Sequence, residues 1–389
     1  MNRMDAVRAA EAEMTEWRRA FHAAPELGFE ESGTAARVAA LCRGFGLEVT
    51  EGVGGTGVVA TLRGTRGDGR AIGLRAELDA LPMQEASGRD WCSGRDGISH
   101  ACGHDGHMAM LLGAARALAA APDIAGTVRF IFQPAEEGLG GARAMLADGL
   151  FDRFPCDEIY AAHNCDAPLG QVIVHHGPMA AAADRFEIVL EGQGGHGAEP
   201  HRAQNPLPAA ARLLLALESL PARVTDARRP AVLTVGAIRG GEAFNAIPDR
   251  VRLAGTIRAL DEQARATLEA ALRRHVAAQA EAEGLTARLD YASPFAVTRN
   301  SDAEADHVIA AARDLFGAAA VTVDPPPEMG SEDFGFMLAE RPGCCFLLGQ
   351  GDDDHRAVCH DPRFDFNDRL LTIGAALWVR LVERRTGCV

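Results

Sequence analysis

A chain of 389 residues is longer than one hydrophobic core ordinarily organises, so two domains are expected. The formal net charge of −15 argues against nucleic acid or an anionic membrane as a main partner, and an anionic substrate would need a local cation or a buried Arg. All 39 basic residues are Arg, and the absence of Lys excludes Schiff-base and pyridoxal-phosphate chemistry, the Walker A lysine, serine–lysine acyl transfer and carboxylated-lysine metal bridges.

In chain order, the N-terminal stretch is charged throughout and lacks the apolar core of a secretory signal, and no later run is long enough to span a membrane. A cytoplasmic location is therefore expected. The spacing of apolar residues predicts one amphipathic helix over Met4–His22 and a second over Thr34–Phe45, stopped by Gly46. β-Branched runs predict strands at Leu47–Thr50, Gly57–Arg63 and Ala71–Arg75. The intervening GVGGTG, 52–57, fits the dinucleotide pattern GxGxxG but leads into a strand-like run, so it reads as a turn. A helix over Gly106–Ala121, strands at Thr127–Phe132 and Glu158–His163 and a helical segment at Gly140–Leu146 follow. This β-α-β alternation predicts an α/β domain with a mixed, mostly parallel sheet.

Past Ala180 the order becomes β-α-β-β-α-β: RFEIVL, a helix through NPLPAAARLLLALESL, the strands AVLTVGAIR and RVRLAGTIR, a helix over Asp261–Glu283 and the strand ARLDY. That order predicts a ferredoxin-like α+β module, residues 183–293, inserted into a discontinuous first domain of residues 1–182 and 294–389. A helix at Ala303–Phe316, a strand at Cys344–Leu348 and a helix at Arg369–Arg385 complete the first domain. The nine cysteines have no framework spacing, and residues such as Cys42 and Cys156 read as small buried hydrophobes.

The densest chemistry is HACGHDGH, His100 to His107. Cys102 and His104 are two apart, so in extended backbone both project to one side; Asp105 could instead cap the following helix. A thiol and several imidazoles in eight residues favour metal binding over a solvated loop. QPAEEG follows a buried strand, and its adjacent Glu136 and Glu137 repel each other unless a cation lies between them; one could ligate while the other moves a proton. His163 ends an apolar strand, where a lone imidazole is ordinarily a core residue. His360 lies in a polar loop before the last helix. Strand ends and a helix N-terminus are where α/β sheets gather ligands, so these segments are expected to converge. Sulfur, nitrogen and oxygen donors suit Zn²⁺, with Mn²⁺, Co²⁺ or Ni²⁺ as alternatives. Cys102, His104, Glu137, His163 and His360 outnumber the ligands of one catalytic zinc, which favours two metals. His196, in GGHG within the inserted module, is either a loop residue or a group brought in by closure. There is no GxSxG and no HExxH.

With HAAPELGFEE, LRAELDALP, HACGHDGH, IFQPAEEG, AAHN, GGHGAEPH, AFNAIPD, GTIRAL, MGSEDF and HDPRFDFND in order along nearly the whole chain, the sequence resembles the M20 metallopeptidase family, in its amidohydrolase branch of hippurate hydrolases and auxin–amino-acid conjugate hydrolases. The resemblance implies a zinc-peptidase-like catalytic domain, an inserted lid that forms a homodimer, and a two-metal centre, commonly zinc or manganese. It implies Cys102 as the bridging thiolate, His104, Glu137, His163 and His360 as the other ligands, and Glu136 as general base. It implies His196 as an oxyanion donor to the partner subunit's site, with Asn245 and Arg258 holding a substrate carboxylate. Glu77, Gly197 and Cys359 depart from the usual Asp, Ala and Leu. The expected activity is hydrolysis of the amide of a small N-acyl amino acid. A dipeptidase or aminopeptidase with the same centre and a catalytically silent metal-bound scaffold are the competing expectations.

Overall fold

The computed structural model describes residues 2–387, and the β-branched runs of the first domain pair there into one eight-stranded sheet. From one edge the strands are Glu48–Val53, Gly57–Arg63, Thr127–Gln133, Ala71–Glu77, Glu158–Pro168, Gly343–Gly351, Val172–Val174 and Val321–Val323. The middle four pair in parallel. Gly57–Arg63 is antiparallel to both its neighbours and Val172–Val174 runs against Gly343–Gly351, so the sheet is mixed around a parallel centre. Parallel strands are covered on both faces, and Ile72–Glu77 and Gly343–Gln350 are accordingly buried without alternation. GVGGTG closes the hairpin between the first two strands, consistent with the turn reading.

Beyond its polar first turn, helix His104–Ala120 is apolar apart from Arg116, and it is buried except at Arg116, Ala119 and Ala120, as a helix inside a core is. It packs between the helices Glu11–His22 and Leu370–Arg385. Its Met108, Leu111, Leu112 and Leu118 have no exposure, and each contributes about 1.5–3 kcal/mol by burial. The single helix expected over Met4–His22 is two, Arg3–Ala9 and Glu11–His22, joined at Ala10. Arg3 donates to the Ala121 carbonyl at 2.8 Å and pairs with Glu383, which anchors the first segment separately from Met14 and Phe21 in the second.

The chain forms two compact units. One comprises the chain up to Met179, Arg299–Pro326 and Asp333 onward; the other comprises Ala180–Thr298 and Pro327–Glu332. The expected limits 183–293 fall inside the second unit. It also takes in Pro327–Glu332, which the sequence assigns to the first, because the Gly330 carbonyl accepts from Ala181 N–H and the Glu332 carbonyl from Thr298 Oγ1. Its antiparallel sheet runs Ala231–Arg239, Arg250–Ala259, Ala182–Glu191, Thr286–Phe295, the ferredoxin-like order. Helices Pro206–Glu218 and Glu262–Ala282 pack on each other and share its apolar core. Asn205 and Asp261 cap them, accepting from Leu207 N–H and Ala264 N–H at 3.1 and 2.8 Å. Among the described residues no helix is long and apolar enough to cross a membrane.

Candidate metal centre and active site

Neighbouring parallel strands bring the acidic and imidazole groups together, at the carboxyl ends of the sheet where α/β folds gather ligands. After Thr127–Gln133 the chain turns through Ala135, held at a φ of 51° with its N–H donating to Glu31 Oε1 at 2.8 Å. The turn delivers Glu136 and Glu137, and Glu137 N–H donates to Asp79 Oδ2 at 3.0 Å from the end of the adjacent strand. Asp79 also positions His104, whose Nδ1 donates to the Asp79 carbonyl at 2.8 Å. Asp79, two residues past the end of strand Ala71–Glu77, therefore orients two candidate ligands.

The backbone between Cys102 and His104 is not extended as the sequence suggests. Gly103 sits in the left-handed region at a φ of 92°, so His104 opens the helix instead of continuing a strand. A Cβ there would lie 2.3 Å from Asn164 Oδ1, which only glycine avoids. His360 is also left-handed, at a φ of 69°, and its N–H donates to the Ala101 carbonyl at 2.7 Å. That bond fastens the C-terminal loop alongside the Cys102 segment. Asp105 does not cap the helix: it is buried, and His22 Nδ1 donates to it at 2.8 Å with Arg18 3.7 Å away.

The five expected ligands and Glu136 fall into three overlapping donor sets, Cys102–His104–His163, Cys102–Glu137–His360 and His104–Glu136–Glu137, each with its donor atoms mutually within 4.8 Å. Cys102 Sγ lies 3.4 Å from His163 Nε2, and Glu137 Oε1 lies 3.2 Å from His360 Nε2. His163 Nδ1 donates to the Asn164 carbonyl at 2.8 Å, which aims Nε2 at Cys102. His104 Nε2 is buried and has no hydrogen-bond partner among the described residues, the expected state of a ligand nitrogen facing a cation site. Burial alone would lower the His104 pKa, but Asp79, Glu77 and Glu137 raise it well above the imidazole range, so these surroundings favour positive charge.

Behind the donors lies a layer of buried polar groups that motif reading left unassigned. Burial would raise the Glu77 pKa, yet Arg75 and His107 hold it well below the carboxylate range. His107 Nδ1 donates to Glu77 at 2.7 Å, and its Nε2 meets Asn164 Oδ1 at 2.7 Å. Arg75 also reaches Asp333 at 3.0 Å, and Asp333 N–H contacts Glu136 Oε1 at 3.4 Å. Asn164 Nδ2 donates to Cys359 Sγ at 3.3 Å, so Glu77 and Cys359, two of the three departures from the family pattern, sit at the ends of one chain of contacts. The neighbouring Cys359 thiol and burial push the Cys102 pKa up, while the Cys102 thiol lowers that of Cys359. Charged residues inside the apolar run AIGLRAELDALP, and a His three positions after His104 on the same helix face, were the available signals for this layer.

The second unit holds the other three expected residues. His196 and Asn245 come together: Gly195–His196 pairs with Ala246–Ile247, and Gly197 N–H donates to the Asn245 carbonyl at 2.8 Å. His196 is exposed, and its Nδ1 accepts from Ala198 N–H at 3.0 Å, which places the ring proton on the outward Nε2. Arg258 is not with them. It pairs opposite Ala183 near the far end of strand Arg250–Ala259, roughly 25 Å along the strand from the end that adjoins this ribbon.

The profile of peptidase family M20/M25/M40 matches residues 73–384. The chain is similar to a hippurate hydrolase of Campylobacter jejuni, 38% identical and covering 98% of each chain. It is also similar to an N-acetyl-L-cysteine deacetylase of Bacillus subtilis, 36% identical over 90% of this chain and 83% of that one. Among solved structures, a dinuclear metal-binding M20 peptidase of Bacillus subtilis superposes with a TM-score of 0.84 at 30% identity, covering 98% of this chain and 100% of that one.

Proposed function

The chain belongs to peptidase family M20/M25/M40 and is a metal-dependent amide hydrolase, and from that membership we propose that its substrates are N-acyl amino acids, cleaved to a carboxylate and a free amino acid. The observation that carries the proposal is one thiol, Cys102, common to two donor triads, with Glu136 in a third beside them. The mixed sulfur, nitrogen and oxygen donors and the unpartnered His104 Nε2 fit divalent zinc or manganese, with cobalt or nickel as alternatives. Cys102, His104, Glu137, His163 and His360 would hold two such ions. When bound, they supply Lewis acidity toward water and the acyl carbonyl.

Glu136 takes the proton of the attacking water and returns it to the leaving amine nitrogen. Its Oε1 faces Asp333 N–H at 3.4 Å, a contact that orients the carboxylate. His196 presents Nε2–H as a donor to the developing oxyanion, and we assign it to the partner subunit's site in a homodimer. Supporting such a dimer, strand Ala231–Arg239 is a sheet edge with Val232 and Ile238 about half exposed, and Leu215 is 73% exposed on helix Pro206–Glu218. Asn245 and Arg258 take the substrate carboxylate, from opposite ends of the strand and so from different subunits.

The test compares N-benzoylglycine and N-acetyl amino acids with unblocked dipeptides, before and after chelation. Activity should disappear on chelation, return with Zn²⁺, Mn²⁺ or Co²⁺ at up to two ions per chain, and favour the acylated substrates. Full activity in metal-free protein would overturn the mechanism, and preference for dipeptides would overturn the substrate class.

A further inference from the structure

We propose that Cys102 and Cys359 form a reversible disulfide when the centre is not loaded with metal, a peroxide-driven modification that withdraws Cys102 from the site. Far apart in sequence, the two residues meet because His360 N–H donates to the Ala101 carbonyl at 2.7 Å. Cys359 Sγ then lies 3.6 Å from the Cys102 carbonyl, which makes the two cysteines direct neighbours. Asn164 Nδ2 holds Cys359 Sγ from the other side at 3.3 Å, and Asn164 is itself held by His107, which Glu77 fixes. The second thiol is thus positioned by a buried network, while Cys42 and Cys156 are buried away from it.

Cys359 is partly exposed and Cys102 only 7%, so an oxidant reaches Cys359 first. The Cys359 sulfur attacks one oxygen of hydrogen peroxide, the O–O bond breaks, and the displaced hydroxide leaves as water with the thiol proton. The resulting sulfenic acid is attacked by the Cys102 sulfur; the S–S bond forms, the S–O bond breaks and a second water departs. Two thiols lose two electrons and two protons, and one peroxide becomes two waters. The consequence for metal rests on the reading of Cys102 as a ligand. Because Cys102 belongs to two of the donor triads, the disulfide disables both at once, and a bound metal conversely shields the thiol.

The experiment treats the full-length protein, chelated or zinc-loaded, with hydrogen peroxide, then alkylates free thiols and maps peptides by mass spectrometry, with the exposed Cys92 as an internal reference. Chelated protein should yield a Cys102–Cys359 linked peptide that dithiothreitol removes, and zinc-loaded protein should yield several-fold less. Zinc uptake should weaken by at least about tenfold after oxidation and recover on reduction. In Cys359→Leu, or Cys359→Ser if the Leu variant fails a near-ultraviolet dichroism check, no link should form, and Cys102 should proceed to sulfinic acid that dithiothreitol cannot restore. Wild-type protein that oxidises at Cys102 while Cys359 stays free would overturn the proposal. A linked peptide with unchanged zinc uptake would leave the disulfide standing and overturn the metal role of Cys102 instead.

Discussion

Glu136 and Glu137 are consecutive and share a donor set with His104, and the proposed mechanism gives them different tasks. Glu137 joins Cys102 and His360, its backbone tied to Asp79, while Glu136 faces Asp333 N–H. Glu136→Gln keeps the shape and removes the proton shuttle, so kcat should fall by at least about 10²-fold with metal content unchanged. Glu137→Gln should lower metal occupancy, measured by elemental analysis after dialysis; the opposite pattern would reverse the two roles. His22 offers a test of different character. Burial would lower its pKa, but Asp105 and Glu85 outweigh burial and the nearby Arg18, raising it to about 9. His100 also faces this cluster, and burial pushes its pKa down to about 4, so it stays neutral. Below about pH 6.5 both folded and unfolded chains carry the His22 proton, and the ion pair with Asp105 contributes fully. Between about 6.5 and 9 only the folded state holds it, so the contribution, on the order of 3 kcal/mol, drains away as pH rises. The urea stability gap between wild type and His22→Gln should therefore be largest near about pH 6 and smallest above about pH 9. A gap that widens with pH would contradict the assignment.

At the level of elements, the centre depends on how the segment before helix His104–Ala120 enters it. Gly103 reverses the backbone in one residue so that Cys102 faces His163 while His104 reaches Asp79. Gly103→Ala adds left-handed strain of about 1–2 kcal/mol and a Cβ 2.3 Å from Asn164 Oδ1, a clash worth about 1–3 kcal/mol more. Thermal unfolding should shift down and zinc affinity weaken together, because Asn164 must move and it also holds His107 and Cys359. A variant with wild-type melting temperature and metal content would show that this turn is not what positions the ligands. Six of the eight strands of the larger sheet were legible from β-branched runs, whereas the short Val172–Val174 and Val321–Val323 were not, and helix His104–Ala120 was legible as a long, mostly apolar run. The break at Ala10 was not, since no Gly or Pro marks it and the cause is the distant anchoring of Arg3.

For the whole molecule, the question is whether one subunit completes another's site. If His196 acts across a dimer, mixing His196→Ala subunits with Glu136→Gln subunits should restore activity that neither has alone. With random exchange of equal amounts, about half the dimers are mixed and each has one competent site of two, so roughly a quarter of wild-type activity should return. No recovery after subunit exchange is shown by mass spectrometry would place His196 in its own subunit's site or outside catalysis.

The sequence by itself determined the element types, the insertion of a ferredoxin-like unit and the short motifs that supply each donor. These are written in hydrophobic period, turn residues and local clusters, which act over a few positions. Only the tertiary structure decided which distant groups meet. Asp79 serves both His104 and Glu137 because strands Ala71–Glu77 and Thr127–Gln133 are neighbours in the sheet. Cys359 reaches Cys102 across 257 positions because one backbone hydrogen bond pins their loops. Strand order is a collective outcome of pairing between distant segments, and no local pattern of residues carries it.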